Sequence, residues 1–202
     1  MTAFSAEKIR AELEPAIIGR EIIVLEETTS TNASVFERAT ASTPEGLVVF
    51  AERQTAGRGQ RNNSWESAAG KGLWFSILLR PKIDIADSPR LAEWAARTVA
   101  ETIASELTLP ASVKLPNDVI VSEKKVAGVL IEMRAQPAAP HIAIVGIGVN
   151  VNQRPENFSE EVRDRAISLA TALRREVDRH EFAIALLRNL DRTYADSFAR
   201  KL

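Results

Sequence analysis

The sequence contains no cysteine, and among its 202 residues only His141 and His180 carry an imidazole. The absence of cysteine excludes disulfides, thiolate metal sites and cysteine nucleophiles, and two histidines are too few for a histidine-rich zinc site. The chain also lacks an excess of charge of either sign, because 26 Lys+Arg stand against 27 Asp+Glu. This balance argues against a general nucleic-acid binder, which would usually be basic overall.

Long apolar runs are missing as well. No window reaches the roughly 18 continuous apolar residues that a membrane-spanning helix needs, and residues 1–20 have scattered charges and no apolar segment typical of a signal peptide. These absences favour a cytoplasmic protein that does not associate with a membrane. The length predicts a single domain that is large enough to bury a hydrophobic core.

Strand-like and helix-like segments are unevenly distributed along the chain. Short strand-like runs, of which 22–25 is β-branched, predict strands at 22–25, 46–54, 73–80, 113–114, 118–121, 126–133 and 141–151. Helical spacing predicts a helix beginning near Ser30 or Thr31, a long amphipathic helix from Ser88, and helices from Ser159 onward. Strands in the middle with helices around them predict an α+β fold with a mixed or antiparallel sheet.

A glycine-rich loop over residues 55–72 is the first candidate site. Gly57 and Gly59 allow the backbone to approach a ligand, and Arg58 and Arg61 suit a phosphate or carboxylate. Trp65 offers a flat face to a planar ring. The same composition also fits a solvated surface loop, and the segment is not a phosphate-binding Walker loop.

Three further segments carry chemistry. Lys114-Leu115-Pro116-Asn117-Asp118 places an ammonium, an amide and a carboxylate together, although on its own it fits an Asn-Asp turn better. Lys124 and Lys125 precede Gly128, which indicates either a charged hairpin end or a lysine directed into a pocket. The run from Gly146 to Asn150 is a weak match to a dinucleotide fingerprint but a plausible small-residue strand on which a planar ligand could lie.

Taken in order, these segments resemble the successive motifs of biotin protein ligases. The motifs are Ser30-Thr31-Asn32, the loop from Gly57 to Trp65, Lys114 to Asp118, Lys125-Val126-Ala127-Gly128, and Gly146 to Asn150. The resemblance covers about residues 20–200. It implies a mixed, largely antiparallel sheet flanked by helices, similar to the class II aminoacyl-tRNA synthetase core. It also implies biotin, ATP and Mg²⁺ as ligands, and a biotin carboxyl carrier protein domain of the acetyl-CoA carboxylase type as protein substrate.

The resemblance assigns residue roles by position. Those implied for biotin are Ser30, Thr31, Asn32, Gln54, Arg58, Gly59, Gln60, Lys125 and Gly128. Those implied for ATP or the adenylate are Arg58, Arg61, Trp65, Asn117, Lys125 and Asn150. The implied catalytic residues are Lys125, Arg58, Lys114 and Asp118, with Asp118 also the candidate magnesium ligand. These roles suit acyl activation, in which fixed cations offset the repulsion between a carboxylate and a phosphate.

Departures from the family pattern lie mainly in the glycine loop, where Gln60 and Asn63 stand at positions that usually carry Arg, and Asn62 replaces a Gly. Leu115 stands where an aromatic residue is common. The sequence predicts one catalytic domain over 1–202, without the DNA-binding winged helix or the small C-terminal β-domain of many relatives. Operator binding is therefore not expected. We also expect a monomer or weak homodimer.

Two other functions are compatible with the same sequence. One is a lipoate or octanoate protein ligase or transferase of the same superfamily, and the other is a non-catalytic biotin-binding module. The polar Ser30-Thr31-Asn32 segment favours a ureido ring over an alkyl chain.

Overall fold

Seven strands form one sheet in this computed structural model, which describes residues 4–136 and 140–199. The strands are β1 (Glu21–Thr28), β2 (Leu47–Gln54), β3 (Leu73–Leu79), β4 (Ser112–Lys114), β5 (Asp118–Val121), β6 (Lys124–Arg134) and β7 (Ile142–Val149). Their order across the sheet is β1-β2-β3-β7-β6-β5-β4. All seven lie where the strand-like runs predict strands.

The sheet is mixed, as the sequence predicts. Strands β1 and β2 are parallel, and every other neighbouring pair is antiparallel. The parallel pair needs a crossover, which helix α2 (Thr31–Arg38) supplies. Strands β5 and β6 instead form a tight hairpin, in which Ser122 and Glu123 both take positive φ of 48° and 64°, as a two-residue type I′ turn requires.

Helices cover the sheet unequally on its two faces. They are α1 (Ala6–Glu12), α2 (Thr31–Arg38), α3 (Ser88–Leu107), α4 (Glu160–Arg163), α5 (Leu169–Leu173) and α6 (Arg179–Tyr194). Helices α3 and α6 pack over the larger hydrophobic core, which includes Phe50, Phe75 and Ile147. The opposite face carries the smaller core of α2 against Val49 and Ile144.

The short α2 leaves part of its face of the sheet uncovered, and this gap positions the site. Along β7, Ile147 points into the large core, so Gly146 and Gly148 face the α2 side by alternation. The loop between β2 and β3 passes over these glycines. Among the described residues, we find no helix of the length and apolar character that crossing a bilayer demands.

Candidate active site

The floor of the site is a strip of glycine backbone. Strands β6 and β7 pair Gly128 with Gly148 and Leu130 with Gly146. A Cβ added at Gly146 would lie 2.3 Å from Asn32 Oδ1, and one added at Gly148 would lie 2.5 Å from the Trp65 ring. Glycine is therefore needed at both positions for these side chains to lie against the sheet.

One end of the pocket is a network of hydroxyls and amides around the start of α2. Gln54 Oε1 accepts hydrogen bonds from the backbone N–H of Thr31 at 2.9 Å and from Thr31 Oγ1 at 3.2 Å. Ser76 Oγ lies 2.7 Å from Thr31 Oγ1 and 2.5 Å from Asn32 Oδ1. Ser30 is buried at the N-cap of α2 but makes no side-chain capping bond, so its hydroxyl is not used by the helix. The polar end is thus buried and rich in donors and acceptors of fixed direction.

The other end of the pocket is cationic. Lys125 Nζ lies 2.6 Å from Asp118 Oδ1 and 5.2 Å from the centroid of the Trp65 ring. Asn117 lies beside them, and its Nδ2 donates to the carbonyl of Val129 at 2.8 Å. The first residue of β5 and the residue before it therefore present a carboxylate and an amide next to the lysine of β6.

The glycine loop is folded back on itself above the pocket. Gly59 N–H donates to Asn63 O at 2.7 Å, and Trp65 N–H donates to Gly57 O at 2.9 Å. These bonds place the Trp65 ring on the glycine floor, with its Nε1 buried and without a hydrogen-bond partner among the described residues. The planar group that lies on the glycine floor in this structure is thus the indole ring of Trp65.

The structure brings most of the predicted site residues to one pocket. Its wall contains Ser30, Thr31, Asn32, Gln54, Arg58, Gly59, Gln60, Trp65, Asn117, Lys125 and Gly128. Asp118 reaches this group through Lys125. Arg61 and Lys114 are exposed and do not line the pocket, so a direct role for either requires a ligand that extends beyond the wall.

The position of Asn150 differs from the role that the resemblance implies. Its side chain is 4% exposed and is directed away from the pocket wall. Asn150 Nδ2 donates to the carbonyl of Ile167 at 3.3 Å, and its Oδ1 accepts from Gln153 Nε2 at 3.0 Å. Because the amide is engaged in holding the segment after β7, it is not presented to an adenine ring in this structure.

Two residues of the site have no assigned role in the sequence analysis. Ser76 is the polar residue in the otherwise apolar strand β3 and faces Gly146 in the register. Glu132 follows Gly128 and Leu130 at intervals of two along β6, and its Oε2 accepts from Arg58 Nη2 at 2.9 Å. The period-two alternation of a strand places Glu132 on the pocket face.

The donor set fits a magnesium ion only as a companion of phosphates. Within residues 4–136 and 140–199, no group of three or more His, Asp or Glu side chains is placed to hold a metal. Asp118 offers one carboxylate at the cationic end. Mg²⁺ is commonly held by one or two carboxylates together with substrate phosphates, so this single carboxylate fits that mode.

The mixed seven-stranded sheet with helices on both faces is the class II synthetase-like fold of biotin protein ligases. Residues 24–150 match the family described as the biotin/lipoate A/B protein ligase family. The chain belongs to this family.

Named relatives agree with this membership. The chain is 36% identical over 192 residues to the bifunctional ligase/repressor BirA of Bacillus subtilis, covering 95% of this chain and 59% of the relative. It is 35% identical over 181 residues to a biotin–[acetyl-CoA-carboxylase] ligase of Mycobacterium tuberculosis, covering 85% of this chain and 63% of that protein. The chain thus spans about three fifths of the length of these curated relatives.

A solved structure is similar as well. A biotin protein ligase from Aquifex aeolicus, in complex with biotin and ATP, superposes with a TM-score of 0.74 at 34% identity. The match covers 88% of this chain and 73% of that chain.

Proposed function

We propose that this chain is the catalytic unit of a biotin protein ligase, which activates biotin with ATP and transfers it to a lysine of a carrier protein. The single observation that carries the proposal is the network of amides and hydroxyls at the polar end of the pocket. Thr31, Asn32 and Gln54 line one pocket with Lys125, and Ser76 supports Thr31 and Asn32 from behind. Such a network suits a cyclic urea, which has both N–H donors and a carbonyl acceptor. The names of the relatives and the ligands of the A. aeolicus structure support the same substrates.

In the first step, a carboxylate oxygen of biotin attacks the α-phosphorus of ATP, and the bond to the pyrophosphate leaving group breaks. Both reactants are anionic, so the site must supply fixed positive charge. Lys125 supplies it at one end of the pocket. Arg58 lines the same pocket and uses Nη2 for Glu132, and a guanidinium carries five N–H donors, which leaves donors for an anion. The loop backbone at Gln60, which lines the same pocket, completes the cradle.

Magnesium enters this proposal bound to the phosphates of ATP. Asp118 is the residue that would hold it, and the ion would withdraw charge from the phosphate oxygens. The distance between Asp118 and Lys125 makes the carboxylate equally suited to orienting the ammonium. Trp65 would then lie against the adenine at the pocket mouth.

In the second step, the amine of the acceptor lysine attacks the acyl carbon of biotinyl-adenylate, AMP leaves, and the nitrogen loses a proton to form the amide. Asn117 and Asp118 lie at the end where this amine would arrive, with exposed Lys114 beside them. The proposed acceptor is a biotin carboxyl carrier protein domain of the acetyl-CoA carboxylase type. A cytoplasmic monomer or weak homodimer is the proposed form of the enzyme.

A single reaction tests the proposal. The protein is incubated with ATP, Mg²⁺, biotin and a carrier domain, and the carrier is weighed by mass spectrometry while pyrophosphate is measured. We expect the carrier to gain one biotinyl group, and a carrier whose acceptor lysine is replaced by Arg to gain none. Transfer of lipoate or octanoate but not biotin would show the related lipoyl chemistry, and biotin binding without pyrophosphate release would show a binding module; either result contradicts the proposal.

A further inference from the structure

Glu132 joins the two sides of the pocket through one oxygen atom. Its Oε2 accepts from Asn32 Nδ2 at 2.6 Å and from Arg58 Nη2 at 2.9 Å. Asn32 belongs to α2 on one side of the site, and Arg58 belongs to the glycine loop that covers it. A change at Glu132 therefore acts on both elements at once.

The position of Glu132 along β6 separates it from the other acid of the site. Gly128 pairs with Asp118, and Glu132 lies four residues further along the same strand. At about 3.3 Å per residue, the two acids are roughly 13 Å apart along β6. The Asp118–Lys125 and Arg58–Glu132 ion pairs therefore mark opposite ends of the pocket.

The contact with Asn32 settles which way its amide faces. A carboxylate can only accept hydrogen bonds, so Glu132 holds the Nδ2 side of the amide and leaves Oδ1 beside Ser76. Asn32 is 3% exposed, and Gly146 leaves no room for a side chain behind it. The buried amide is thus fixed in one orientation before any ligand arrives.

The contact with Arg58 ties the glycine loop to the sheet. The side chains of Arg58 and Glu132 are 48% and 25% exposed, so this pair lies at the rim of the pocket. Neighbouring backbone bonds of the loop join it to itself, at Gly59–Asn63 and Gly57–Trp65. The Arg58–Glu132 pair instead crosses from the loop to β6.

We propose that Glu132 is a positioning residue for this site: it fixes the Asn32 amide and holds the glycine loop over the polar end of the pocket. Through Asn32 it acts on the ligand ring bound at that end, and through Arg58 it acts on the loop. The identity of that ring as the ureido ring of biotin rests on the proposed function, whereas the hold on the loop does not.

The first test needs no ligand. Trypsin cleavage after Arg61, which is exposed in the loop, is followed by mass spectrometry in the wild type, Glu132→Ala and Glu132→Gln. We expect about tenfold faster cleavage in Glu132→Ala, since a hydrogen bond to a charged group is worth about a decade or more in an equilibrium constant. Glu132→Gln, which keeps an acceptor oxygen, should fall between the two.

Glu27→Ala is the matched control. Glu27 forms a similar carboxylate–guanidinium pair with Arg53 at 3.0 Å between neighbouring strands, outside the pocket. Its removal should leave cleavage after Arg61 at the wild-type rate. Equal rates in Glu132→Ala and Glu27→Ala would overturn the proposal.

The second test measures steady-state kinetics with biotin and ATP. We expect Glu132→Ala to raise the KM for biotin about tenfold and the KM for ATP by a smaller factor; a general loss of structure would instead raise both to the same extent. Glu132→Gln, which keeps the size of the side chain and one acceptor oxygen, provides a second variant if Glu132→Ala does not fold. A biotin KM unchanged in both variants would overturn the proposal. A wild type without ligase activity would contradict the proposed function alone, because the trypsin test stands without it.

Discussion

Lys125 Nζ lies 2.6 Å from Asp118 Oδ1, and the two side chains form a close ion pair at one end of the pocket. The register explains how the two meet. Asp118 pairs with Gly128, but Ile120 pairs with Lys125, so β6 contains an extra residue relative to β5. This β-bulge shifts the alternation of β6, and Lys125 turns toward the same pocket face as Gly128.

Replacing Lys125 with Ala should reduce biotin adenylation by about 10²-fold or more, the scale of loss when one preorganised charge donor is removed. The fold should be kept, because Lys125 is a partly exposed residue at the site mouth. Biotin-dependent pyrophosphate release measures the effect. Lys124→Ala, one residue earlier on β6, is the control and should remain near the wild-type rate. A Lys125→Ala enzyme as active as this control would remove Lys125 from the reaction.

Gly146→Ala should weaken biotin binding about tenfold or more and leave ATP binding almost unchanged. The new Cβ would meet Asn32 Oδ1 at 2.3 Å, so Asn32 must move away from Ser76 and lose a hydrogen bond in a buried network, a loss of the order of 1–3 kcal/mol. Titration calorimetry with each substrate measures the two affinities. Equal weakening of both affinities would indicate a general distortion of the sheet rather than a loss at the polar end.

The fold was largely predictable from the sequence because its elements have strong local signals. The apolar strand β3 and the Ser88–Leu107 helix illustrate this, since a short apolar run and helical spacing are short-range patterns. The helical pattern after Ser159 was predicted less well, because it is broken into α4, α5 and α6.

The arrangement of the site was less predictable, because it depends on contacts between distant segments. Local composition does not predict three features of the site, namely the bulge at Lys125, the ion pair of Arg58 with Glu132 and the inward orientation of Asn150. Motif resemblance brings the correct segments to the pocket but says nothing of where each side chain points. Ser76 and Glu132 were missed for the same reason.

Trp65 should report ligand binding by its fluorescence. Its ring lies on Gly148, and its Nε1 has no hydrogen-bond partner within the described part of the chain, so a ligand on this floor must change its surroundings. We expect biotin with ATP to shift the emission of the wild type and to have no such effect in Trp65→Phe. Trp94→Phe is the control, since Trp94 Nε1 bonds Thr193 on the other face of the sheet. If the ligand-induced shift were lost in Trp94→Phe and kept in Trp65→Phe, the assignment of the shift to Trp65 would be wrong.

His180 should make the stability depend on pH. Burial lowers the pKa of His180 below its usual 6.5, and nearby Asp178 opposes this shift. Its Nε2 accepts the backbone N–H of Ser5 at 2.9 Å, which requires the neutral ring. His180 therefore binds a proton more readily in the unfolded chain than in the folded protein. Its contribution to the free energy of unfolding is full above pH 6.5 and is lost as the pH falls through the lowered pKa of the folded state.

The measurement is the free energy of unfolding between pH 5 and 8 for the wild type and His180→Gln, in which the titratable ring is gone. We expect the wild type to lose stability on acidification more steeply than the variant. Parallel curves would show that His180 does not titrate differently in the two states.

Gln60→Arg should slow the escape of biotinyl-adenylate from the enzyme. Gln60 lines the pocket and stands where biotin protein ligases usually carry Arg, so the loop has fewer cations to hold the phosphate. One charge-assisted hydrogen bond to phosphate is worth about 1.5–3 kcal/mol, and 1.4 kcal/mol is about a decade in affinity. Restoring the cation should therefore reduce the dissociation rate of the adenylate about tenfold and lower stray labelling of bystander lysines. Ser105→Arg adds the same charge at an exposed position of α3 and should leave the dissociation rate of the adenylate unchanged. If Gln60→Arg and Ser105→Arg release the adenylate equally fast, the side chain at position 60 is directed away from the phosphate and the loop acts there through its backbone alone.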